Sequence, residues 1–159
     1  MRPFTLNDIE PAYEMNLDQE ISKYTGDGGV VNYDEIKDRI RGIISGDYTK
    51  YGYGRFAVEL IGVDSFIGFA GLKYLPEYGV TDLGYRFKKE YWGQGIATEA
   101  GKASIEYGFN SLKLKELKAY AMRENKASIK VLTKLGFAYE ADLTEHELTY
   151  QQFKLASKV

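Results

Sequence analysis

The segment from Leu83 to Ala100 has the residue types and spacing of a phosphate-binding turn. Within it, an alternating strand pattern leads into a turn that contains Gly93 and Gly95, and a helical pattern follows directly. A turn of this kind leaves backbone N–H groups unpaired at the N-terminus of a helix, where they attract anions. The glycines remove the side chains that would keep a phosphate away from the backbone. The strand and the helix on either side therefore favour phosphate binding over a plain turn.

The elements around this turn predict a mixed α+β domain with one central sheet. Asn7 and Glu10 form a capping-box pattern that predicts the first helix. Asn32 begins a second helix with an isoleucine stripe, which Gly46 is predicted to end. The order of the predicted helices and strands indicates a mixed sheet of about six to seven strands flanked by about four helices. The predicted strands are 56–60, 66–74, 80–88, 114–121, 137–142 and 148–155, with a stub at 2–5, and the later helices are 94–110 and a short one capped by Asn125.

Composition and length indicate a single domain over residues 1–159 and argue against several kinds of site. The hydrophobic fraction is 44% and the charged fraction 28%, as in ordinary globular proteins. The net charge of -2 argues against binding to a nucleic-acid backbone, and no apolar stretch approaches the roughly 20 residues that span a bilayer. The chain has no cysteine and one histidine, His146, so neither a thiol nucleophile nor a metal site is expected. We expect a cytoplasmic protein.

Three segments resemble the GNAT superfamily of acyl-CoA-dependent N-acyltransferases, and within it the RimJ/RimL-like branch, which acetylates protein N-termini and other amines. Residues 2–8 resemble the first strand and the start of the first helix. Residues 82–100, which include Tyr91-Trp-Gly-Gln-Gly-Ile-Ala-Thr-Glu-Ala100, resemble the pyrophosphate-binding motif. Residues 125–137, which read Asn125-Lys-Ala-Ser-Ile-Lys-Val-Leu-Thr-Lys-Leu-Gly-Phe137, resemble the second cofactor motif. The resemblance implies the GNAT fold, with acetyl-CoA as co-substrate.

The resemblance also implies a cofactor site that is made largely of backbone groups. The end of one strand would line the pantetheine arm and the thioester with backbone groups of Tyr85, Arg86, Phe87 and Lys88. The turn would hold the pyrophosphate with the N–H groups of Gly93, Gln94, Gly95, Ile96 and Ala97. Asn125 would contact the pantetheine arm, and Ser128 would lie near the sulfur.

Two departures from the family pattern bear on mechanism. The first position of the phosphate motif, an arginine or glutamine in the superfamily pattern, is Trp92, so phosphate affinity rests on backbone N–H groups and the helix terminus. Many members also carry a tyrosine in the second motif that protonates the leaving thiolate, and the matching position is Leu132. Ser128, one helical turn earlier, is the candidate acid, acting directly or through water. The alternative is a helix hydroxyl that bonds its own backbone.

The candidate general base is Asp82, three residues before Tyr85 on the same strand, where RimJ/RimL-like sequences often carry an acidic residue. A base assists the reaction because direct acyl transfer needs a neutral amine. The alternative is a surface carboxylate at the start of a strand. Three lysines, at 126, 130 and 134, share one helix face that is either simply solvated or contacts the 3′-phosphate of CoA.

We expect an acetyl-CoA-dependent N-acetyltransferase that acts by direct transfer in a ternary complex on a peptide or protein N-terminal amine. A small-molecule amine such as a polyamine, amino acid or aminoglycoside is the nearest alternative. A CoA-binding sensor without turnover and a dinucleotide-binding oxidoreductase are the others. The acceptor site is expected between residues 24–29 and 145–150. The expected partners are acetyl-CoA and the amine, without nucleic acid or membrane, and a homodimer is left open.

Overall fold

The structure of the chain is a computed structural model that describes residues 1–26 and 32–158. The elements follow the predicted order around one six-stranded sheet. The helices are α1 (Ile9–Asn16), α2 (Gln19–Ser22), α3 (Tyr33–Gly42), α4 (Tyr48–Tyr51), α5 (Ile96–Glu106) and α6 (Lys126–Lys134). The strands are β1 (Arg55–Leu60), β2 (Asp64–Leu75), β3 (Val80–Phe87), β4 (Glu116–Met122), β5 (Ala138–Glu145) and β6 (Leu148–Ala156).

The sheet has the strand order β1-β2-β3-β4-β6-β5, and β3 and β4 are its parallel neighbours. The stub predicted at 2–5 is reduced to one bridge, Arg2 with Ala57 on β1. β2 and β3 stay paired along the whole length of β3. In the described part of the chain, β3 and β4 pair at one register position only, Asp82 with Lys118. The absence of further β3–β4 pairing among the described residues indicates that the two strands diverge there and leave a cleft in the sheet. The predicted α+β class with a mixed central sheet is confirmed.

Helices cover both faces of the sheet. Phe66 and Ile67 are consecutive on β2, so their side chains point to opposite faces, and both are fully buried. Phe66 packs in a cluster with Ile40 of α3 and with residues of α1. Ile67 packs in another cluster with Ala100 of α5. On the α5 side, α6 packs against β4 and contributes the buried Leu132. The cleft between β3 and β4 therefore lies between two packed layers.

The first helical turn is set by a different pair of residues from the one predicted. The Thr5 N–H donates to the carboxylate of Asp8 at 2.8 Å and forms the capping box there. The prediction of a box at Asn7 and Glu10 was wrong by two residues. Arg2 stabilises the earlier box because its guanidinium binds both oxygens of Asp8, each at 2.8 Å. Burial opposes the charge on Asp8, but the hydrogen bonds from Arg2 and Thr5 outweigh it and lower the pKa of this carboxyl.

The second helical region is longer than predicted. Asn32 caps α3 as expected, and its side-chain oxygen accepts the Glu35 N–H at 2.9 Å. Gly46 does not end the helical run, because a π turn at Ile43–Asp47 carries the backbone on into α4. The run ends at Gly52, whose φ of 78° lies in the left-handed region.

α5 packs through small residues, although one of the expected ones faces solvent. The helix begins at Ile96 and continues into a π turn at Tyr107–Ser111. Gly101 and Ser104 are buried, whereas Ala103 is exposed. A Cβ at Gly101 would collide with the side chain of Leu135, so this glycine allows the close contact between α5 and Leu135.

We predict that Gly68→Ala lowers the free energy of unfolding by about 1–3 kcal/mol, because the added methyl overpacks the β2–β3 pair. A Cβ at this position would collide with the Arg86 carbonyl oxygen and lie 2.7 Å from the Phe87 Cα. Urea unfolding measures the effect. Gly42→Ala is the matched control, since nothing lies within 4 Å of its Cβ position and alanine favours a helix. A Gly68 variant as stable as the wild type would contradict the close approach of these strands.

Candidate active site

The predicted phosphate turn leaves open space around its backbone. β3 leads through a 3-10 turn at Lys89–Tyr91 into the glycine turn and then α5. Gly93 and Gly95 have φ values of 73° and 80°, in the left-handed region that favours glycine, and nothing lies within 4 Å of either Cβ position. Gly95 is the N-cap of α5 and supplies no side-chain cap. The N–H groups of the first helical turn therefore have a clear approach for an anion.

Trp92 has a structural role that its position in the motif does not reveal. Its indole N–H donates to the Phe87 carbonyl oxygen at 2.8 Å, although the side chain is 45% exposed. This bond ties the glycine turn back onto the end of β3. The amide of Gln94 similarly donates to the Glu90 carbonyl at 3.0 Å, and Ile96 packs against the core beneath α5. The turn is thus held in place by its neighbours.

The end of β3 directs alternate peptide groups into the cleft. The Lys88 N–H donates to the Ile67 carbonyl at 2.9 Å, so it is bonded to β2. In an antiparallel pair only alternate residues bond to a given neighbour, so Arg86 also bonds to β2. The peptide groups of Tyr85 and Phe87 then face β4 and the cleft. Of the four residues predicted to line the pantetheine arm, these two have backbone N–H groups that face the cleft, and their contact with the cofactor stays a prediction.

The side chain of Lys88 is bound away from the turn. Its ammonium group lies 2.9 Å from the carboxylate of Asp64, which also accepts the Tyr91 hydroxyl at 3.2 Å. Burial opposes the charge on Asp64, but the hydrogen bond and charge of Lys88 outweigh it and lower the pKa of this carboxyl. The pair anchors the segment after β3 to the start of β2.

Across the cleft, the second motif brings Ser128 to Tyr85. Asn125 caps α6, and its side-chain oxygen accepts the Ser128 N–H at 3.1 Å, which leaves the Asn125 NH2 group as a donor for a ligand. The hydroxyls of Tyr85 and Ser128 lie 3.1 Å apart, and the Tyr85 hydroxyl is also 3.2 Å from the Ser128 carbonyl oxygen. Burial raises the pKa of Tyr85 to about 12, only partly offset by the hydrogen bond of Ser128. The phenol is therefore neutral at pH 7 and remains a donor.

Sequence reasoning gave Tyr85 a backbone role and missed its side chain. The signal was present in the strand alternation, because Leu83, Tyr85 and Phe87 share the face that packs toward α5 and α6. Leu132, the position of the family's tyrosine, is 1% exposed and belongs to the core. A tyrosine on β3 thus reaches Ser128 from the opposite wall of the cleft. The lysines of α6 at 126, 130 and 134 are exposed, and their predicted contact with CoA stays a prediction.

Asp82, the predicted base, forms an ion pair with an arginine from β1. Nη2 of Arg55 lies 2.9 and 3.0 Å from the two carboxylate oxygens, and both side chains are largely buried. Nη1 of Arg55 donates to the Gly71 carbonyl and to the Asp82 carbonyl, at 2.5 and 3.0 Å. The ion pair joins β1 to β3 across β2, which lies between them in the sheet. The ion pair fixes the orientation of the carboxylate, and each oxygen keeps a lone pair for a further partner.

A cavity of about 430 Å³ lies on the other face of β3, beneath α1 and α3. Its walls combine apolar side chains with charged ones, and the charged lining residues are Arg39, Asp47, Arg55, Lys73 and Arg86. The guanidinium of Arg86 donates to the side-chain oxygen of Asn16 at 2.5 Å and lies 5.5 Å from the ring centre of Phe69. Sequence reasoning did not find this cavity, because its residues are scattered over two helices, the π turn at Ile43–Asp47 and three strands.

The two segments expected to form the acceptor site do approach each other. A methyl group at Gly26 would meet the ring of Tyr150, with Cζ 3.5 Å away. Glu145 accepts the Tyr78 hydroxyl at 3.0 Å, which links two hairpins. Residues 27–29 of the expected site lie outside the described residues.

The first 138 residues match a known domain family. The family described as the acetyltransferase (GNAT) domain covers residues 1–138. The chain belongs to the GNAT acetyltransferases. It is an acetyl-CoA-dependent N-acetyltransferase, and the sensor and oxidoreductase alternatives are therefore set aside.

Individual GNAT relatives differ in what their names say about the acceptor. The chain is 32% identical over 149 residues to the uncharacterised N-acetyltransferase p20 of Bacillus licheniformis, which covers 92% of this chain and 83% of the relative. It is 26% identical over 163 residues to the spermidine N(1)-acetyltransferase of Escherichia coli strain K12, covering 100% of this chain and 83% of the relative. The solved structure of RimJ from Mycobacterium smegmatis, in complex with CoA-disulfide, matches this chain with a TM-score of 0.82 and 19% identity. The match covers 99% of this chain and 81% of the RimJ chain. The last likeness shows the shared fold.

Within residues 1–26 and 32–158, no three acidic or histidine side chains are grouped so that they could hold a metal ion. Over the same residues, no helix has the length and apolar character to cross a membrane.

We predict that Gly95→Glu abolishes measurable binding of acetyl-CoA while the protein stays folded. The new carboxylate would stand where the turn offers its N–H groups to the pyrophosphate, and like charges repel. Calorimetric titration with acetyl-CoA measures the effect, and circular dichroism checks the fold.

Gly79→Glu is the matched control for that variant. Gly79 also has a left-handed φ, 64°, and open space at its Cβ position, but it lies in the turn before β3, at the far end of the strand. The control carries the same charge and the same backbone strain, and we expect wild-type affinity. Equal affinity of both variants for acetyl-CoA would place the pyrophosphate somewhere else.

Proposed function

We propose that this GNAT enzyme acetylates the N-terminal α-amine of a peptide or protein by direct transfer in a ternary complex. The observation that carries the proposal is the state of Asp82, whose two oxygens both accept hydrogen bonds from Arg55. The ion pair uses part of the acceptor capacity of this carboxylate, and we infer that the candidate base gives the acceptor limited help in losing its proton. Such a site suits an amine that is substantially deprotonated without help.

The reference pKa values of amines show how large this difference is. An α-amine has a pKa near ~8, and an alkylamine such as that of lysine has a pKa near ~10.4. At pH 7, deprotonation costs about 1.4 kcal/mol for the α-amine and about 4.6 kcal/mol for the alkylamine, at about 1.36 kcal/mol per pKa unit. The reactive form of the α-amine is thus roughly 250 times more abundant.

Acetyl-CoA fits the cleft with its pyrophosphate on the N–H groups of Gly93–Ala97. The pantetheine arm then passes between β3 and β4, beside the Asn125 NH2 group. The N–H groups of Tyr85 and Phe87 face this path and are suited to hold the thioester carbonyl. An N–H in that position stabilises the oxyanion that forms as the amine attacks. In this arrangement, parts of acetyl-CoA bind the N–H groups of the turn, the N–H groups of Tyr85 and Phe87, and the Asn125 NH2 group.

The reaction has a simple balance of bonds and protons. The neutral amine nitrogen attacks the thioester carbon, the C–S bond breaks, and the nitrogen loses one proton to water. The leaving thiolate takes up a proton to become the CoA thiol. Ser128 and Tyr85 lie where the sulfur is expected, with their hydroxyls 3.1 Å apart.

These hydroxyls support the thiolate chiefly as hydrogen-bond donors. A thiol has a reference pKa near ~8.5, whereas that of Tyr85 is raised to about 12. Full proton transfer from the phenol to the thiolate is therefore uphill by about 5 kcal/mol. A hydrogen bond from Ser128, supported by Tyr85 behind it, stabilises the thiolate without that transfer, and water supplies the proton.

A polyamine is the second candidate acceptor. The likeness to the spermidine N(1)-acetyltransferase of Escherichia coli extends over the whole chain and favours it. The fold shared with RimJ supports the first candidate. Lys73 lines the cavity beside β3 and repels a polycation, which also supports the α-amine.

We predict that Ser128→Ala lowers kcat by about tenfold or more and leaves the affinity for acetyl-CoA unchanged. A hydrogen bond to a charged group contributes about 1.5–3 kcal/mol, and this one forms only as the thiolate develops. Release of the CoA thiol, followed with a chromogenic disulfide, measures the rate. Because Tyr85 keeps its proton far above neutral pH, the ratio of wild-type to variant rates should be constant from about pH 6.5 to about pH 9.5.

Thr133→Ala is the matched control on the same helix. The Thr133 hydroxyl donates to the Ile129 carbonyl at 2.9 Å and is exposed, so its loss removes a helix hydroxyl away from the cleft. We expect wild-type kcat for this variant. A Ser128 variant with wild-type kcat would show that Ser128 is only a helix hydroxyl.

We predict a higher initial rate with a neutral N-terminal peptide than with spermidine, at matched concentration and pH 7. The reason is the larger fraction of neutral amine in the peptide. Raising the pH to about 9 should increase the spermidine rate by a larger factor than the peptide rate. A clear preference for spermidine at pH 7 would overturn the proposed acceptor, whereas transfer to neither amine would overturn both candidates.

A further inference from the structure

The side chain of Tyr120 lies on the face of the sheet opposite α6. Its two neighbours on β4, Ala119 and Ala121, are buried in the core cluster that packs against α6. Successive side chains of a strand alternate between the two faces, so Tyr120 points the other way. The adjacent strand β3 shows the same division, since Leu83 belongs to that core cluster and Asp82 does not. Tyr120 and Asp82 therefore share the face that carries the cavity beneath α1 and α3.

Tyr120 stands at the point where the cleft begins. Among the described residues, Asp82 and Lys118 form the one register pair between β3 and β4. The two strands run parallel, so Tyr120, two residues after Lys118, comes level with Gly84 on β3. Tyr85, whose N–H faces the cleft, follows directly on that strand. The side chain of Tyr120 is therefore next to the place where the thioester carbonyl is expected.

The Tyr120 hydroxyl is the polar group of β4 that remains open on this face. Glu116 and Lys118 are both held in ion pairs, and the Lys118 ammonium lies 2.5 Å from the carboxylate of Glu140 on β5. Met122, the last residue of the strand, is apolar. In the part of the chain that the structure describes, the Tyr120 hydroxyl makes no hydrogen bond, and no buried side-chain oxygen there lacks a partner. The hydroxyl is therefore accessible to water and to a ligand.

Tyr120 keeps its proton at neutral pH. Burial, and then the negative charge of Asp82, raises the pKa of Tyr120 to about 12. The oxygen of a neutral phenol accepts a hydrogen bond from an N–H group. As an amine attacks the thioester, its nitrogen gains positive charge and its N–H becomes a stronger donor. A hydrogen bond from the amine to Tyr120 therefore strengthens in the transition state, which is the condition for it to accelerate the reaction.

The strand on the other side of β4 connects Tyr120 to the expected acceptor segments. On β6, Gln152 stands opposite Tyr120, and Tyr150 stands opposite Met122 on the same face of the sheet. A Cβ at Gly26 would lie 3.5 Å from Cζ of Tyr150, so the chain after α2 reaches this face as well. The segment after α2 and the β5–β6 hairpin thus meet beside Tyr120. An acceptor that enters between them passes this hydroxyl on its way to the cleft.

We propose that the Tyr120 hydroxyl binds the acceptor amine and orients its lone pair toward the thioester carbon. This inference rests on the proposed function, because it takes direct transfer in a ternary complex as the reaction. The amine donates one N–H to the Tyr120 oxygen while its lone pair forms the new C–N bond. The C–S bond then breaks, the nitrogen releases one proton to water, and the thiolate takes one up. Tyr120 gains no proton, and it acts on the face opposite Ser128, which supports the sulfur.

Tyr120→Phe tests the proposal, because it removes the hydroxyl and keeps the ring. With a neutral N-terminal peptide as the acceptor and saturating acetyl-CoA, we expect kcat to fall by about tenfold, since the lost hydrogen bond is one to a nitrogen that becomes charged. The KM for the peptide should change much less, because the same bond is weaker before the amine attacks. The affinity for acetyl-CoA, measured by calorimetry, should stay at the wild-type value.

Tyr139→Phe is the matched control on the neighbouring hairpin. Tyr139 is exposed, its hydroxyl lies 3.3 Å from the carboxylate of Asp142, and its ring contacts Phe153, which belongs to the core cluster on the α6 side. The control loses the same hydroxyl on the other face of the sheet, and we expect wild-type kcat. Urea unfolding of both variants shows whether either substitution changes the stability of the fold.

The outcomes separate the inference from the function on which it rests. Wild-type kcat in Tyr120→Phe would overturn the role of this hydroxyl and leave peptide acetylation standing. A lower kcat that comes with weaker binding of acetyl-CoA or a less stable fold would make Tyr120 a structural residue, and would also overturn the inference. If the wild-type protein binds acetyl-CoA but transfers nothing to the peptide, the proposed acceptor class is overturned, and the inference with it.

Discussion

The separation of β3 from β4 beyond Asp82 and Lys118 is the constraint on which the site depends. Peptide N–H and C=O groups rarely stay without partners, so two diverging strands in the middle of a sheet need something else to bind. Along β3 these groups include the N–H groups of Tyr85 and Phe87, whereas the Phe87 carbonyl accepts the Trp92 indole N–H. An extended ligand with its own amide groups can replace the missing strand, and the proposed cofactor site uses this loss of sheet pairing.

The order of elements could be predicted from the sequence, because strand alternation and helix caps are local patterns. Alternation identified the strands, and Asn32 and Asn125 cap their helices as predicted. The pair of Arg55 with Asp82 could not be predicted, since it joins two strands across a third and no local pattern records it. The capping box near the N-terminus was predicted at the wrong residues for a similar reason. Arg2 lies outside the helix and stabilises the box at Thr5 and Asp8 by binding Asp8, which the local pattern does not show.

The side chains of β3 alternate between the two faces of the sheet, so this one strand contributes to both the proposed cofactor cleft and the cavity. Tyr85 lies on the face that packs against α6, and Arg86 lies on the face beneath α1 and α3. The two side chains belong to consecutive residues, so the proposed cofactor cleft and the cavity on the other face are placed relative to each other by the pleat of a single backbone. Because β2 and β3 are fully paired, this geometry is held by the most regular part of the sheet.

The indole of Trp92 lies at the mouth of the pyrophosphate turn and is partly exposed. The chain has one tryptophan in all, so its ultraviolet emission comes from a single known place. A nucleotide bound at this turn, as proposed, changes the polarity and water contact around that ring. Trp92 would then report cofactor occupancy through its own fluorescence.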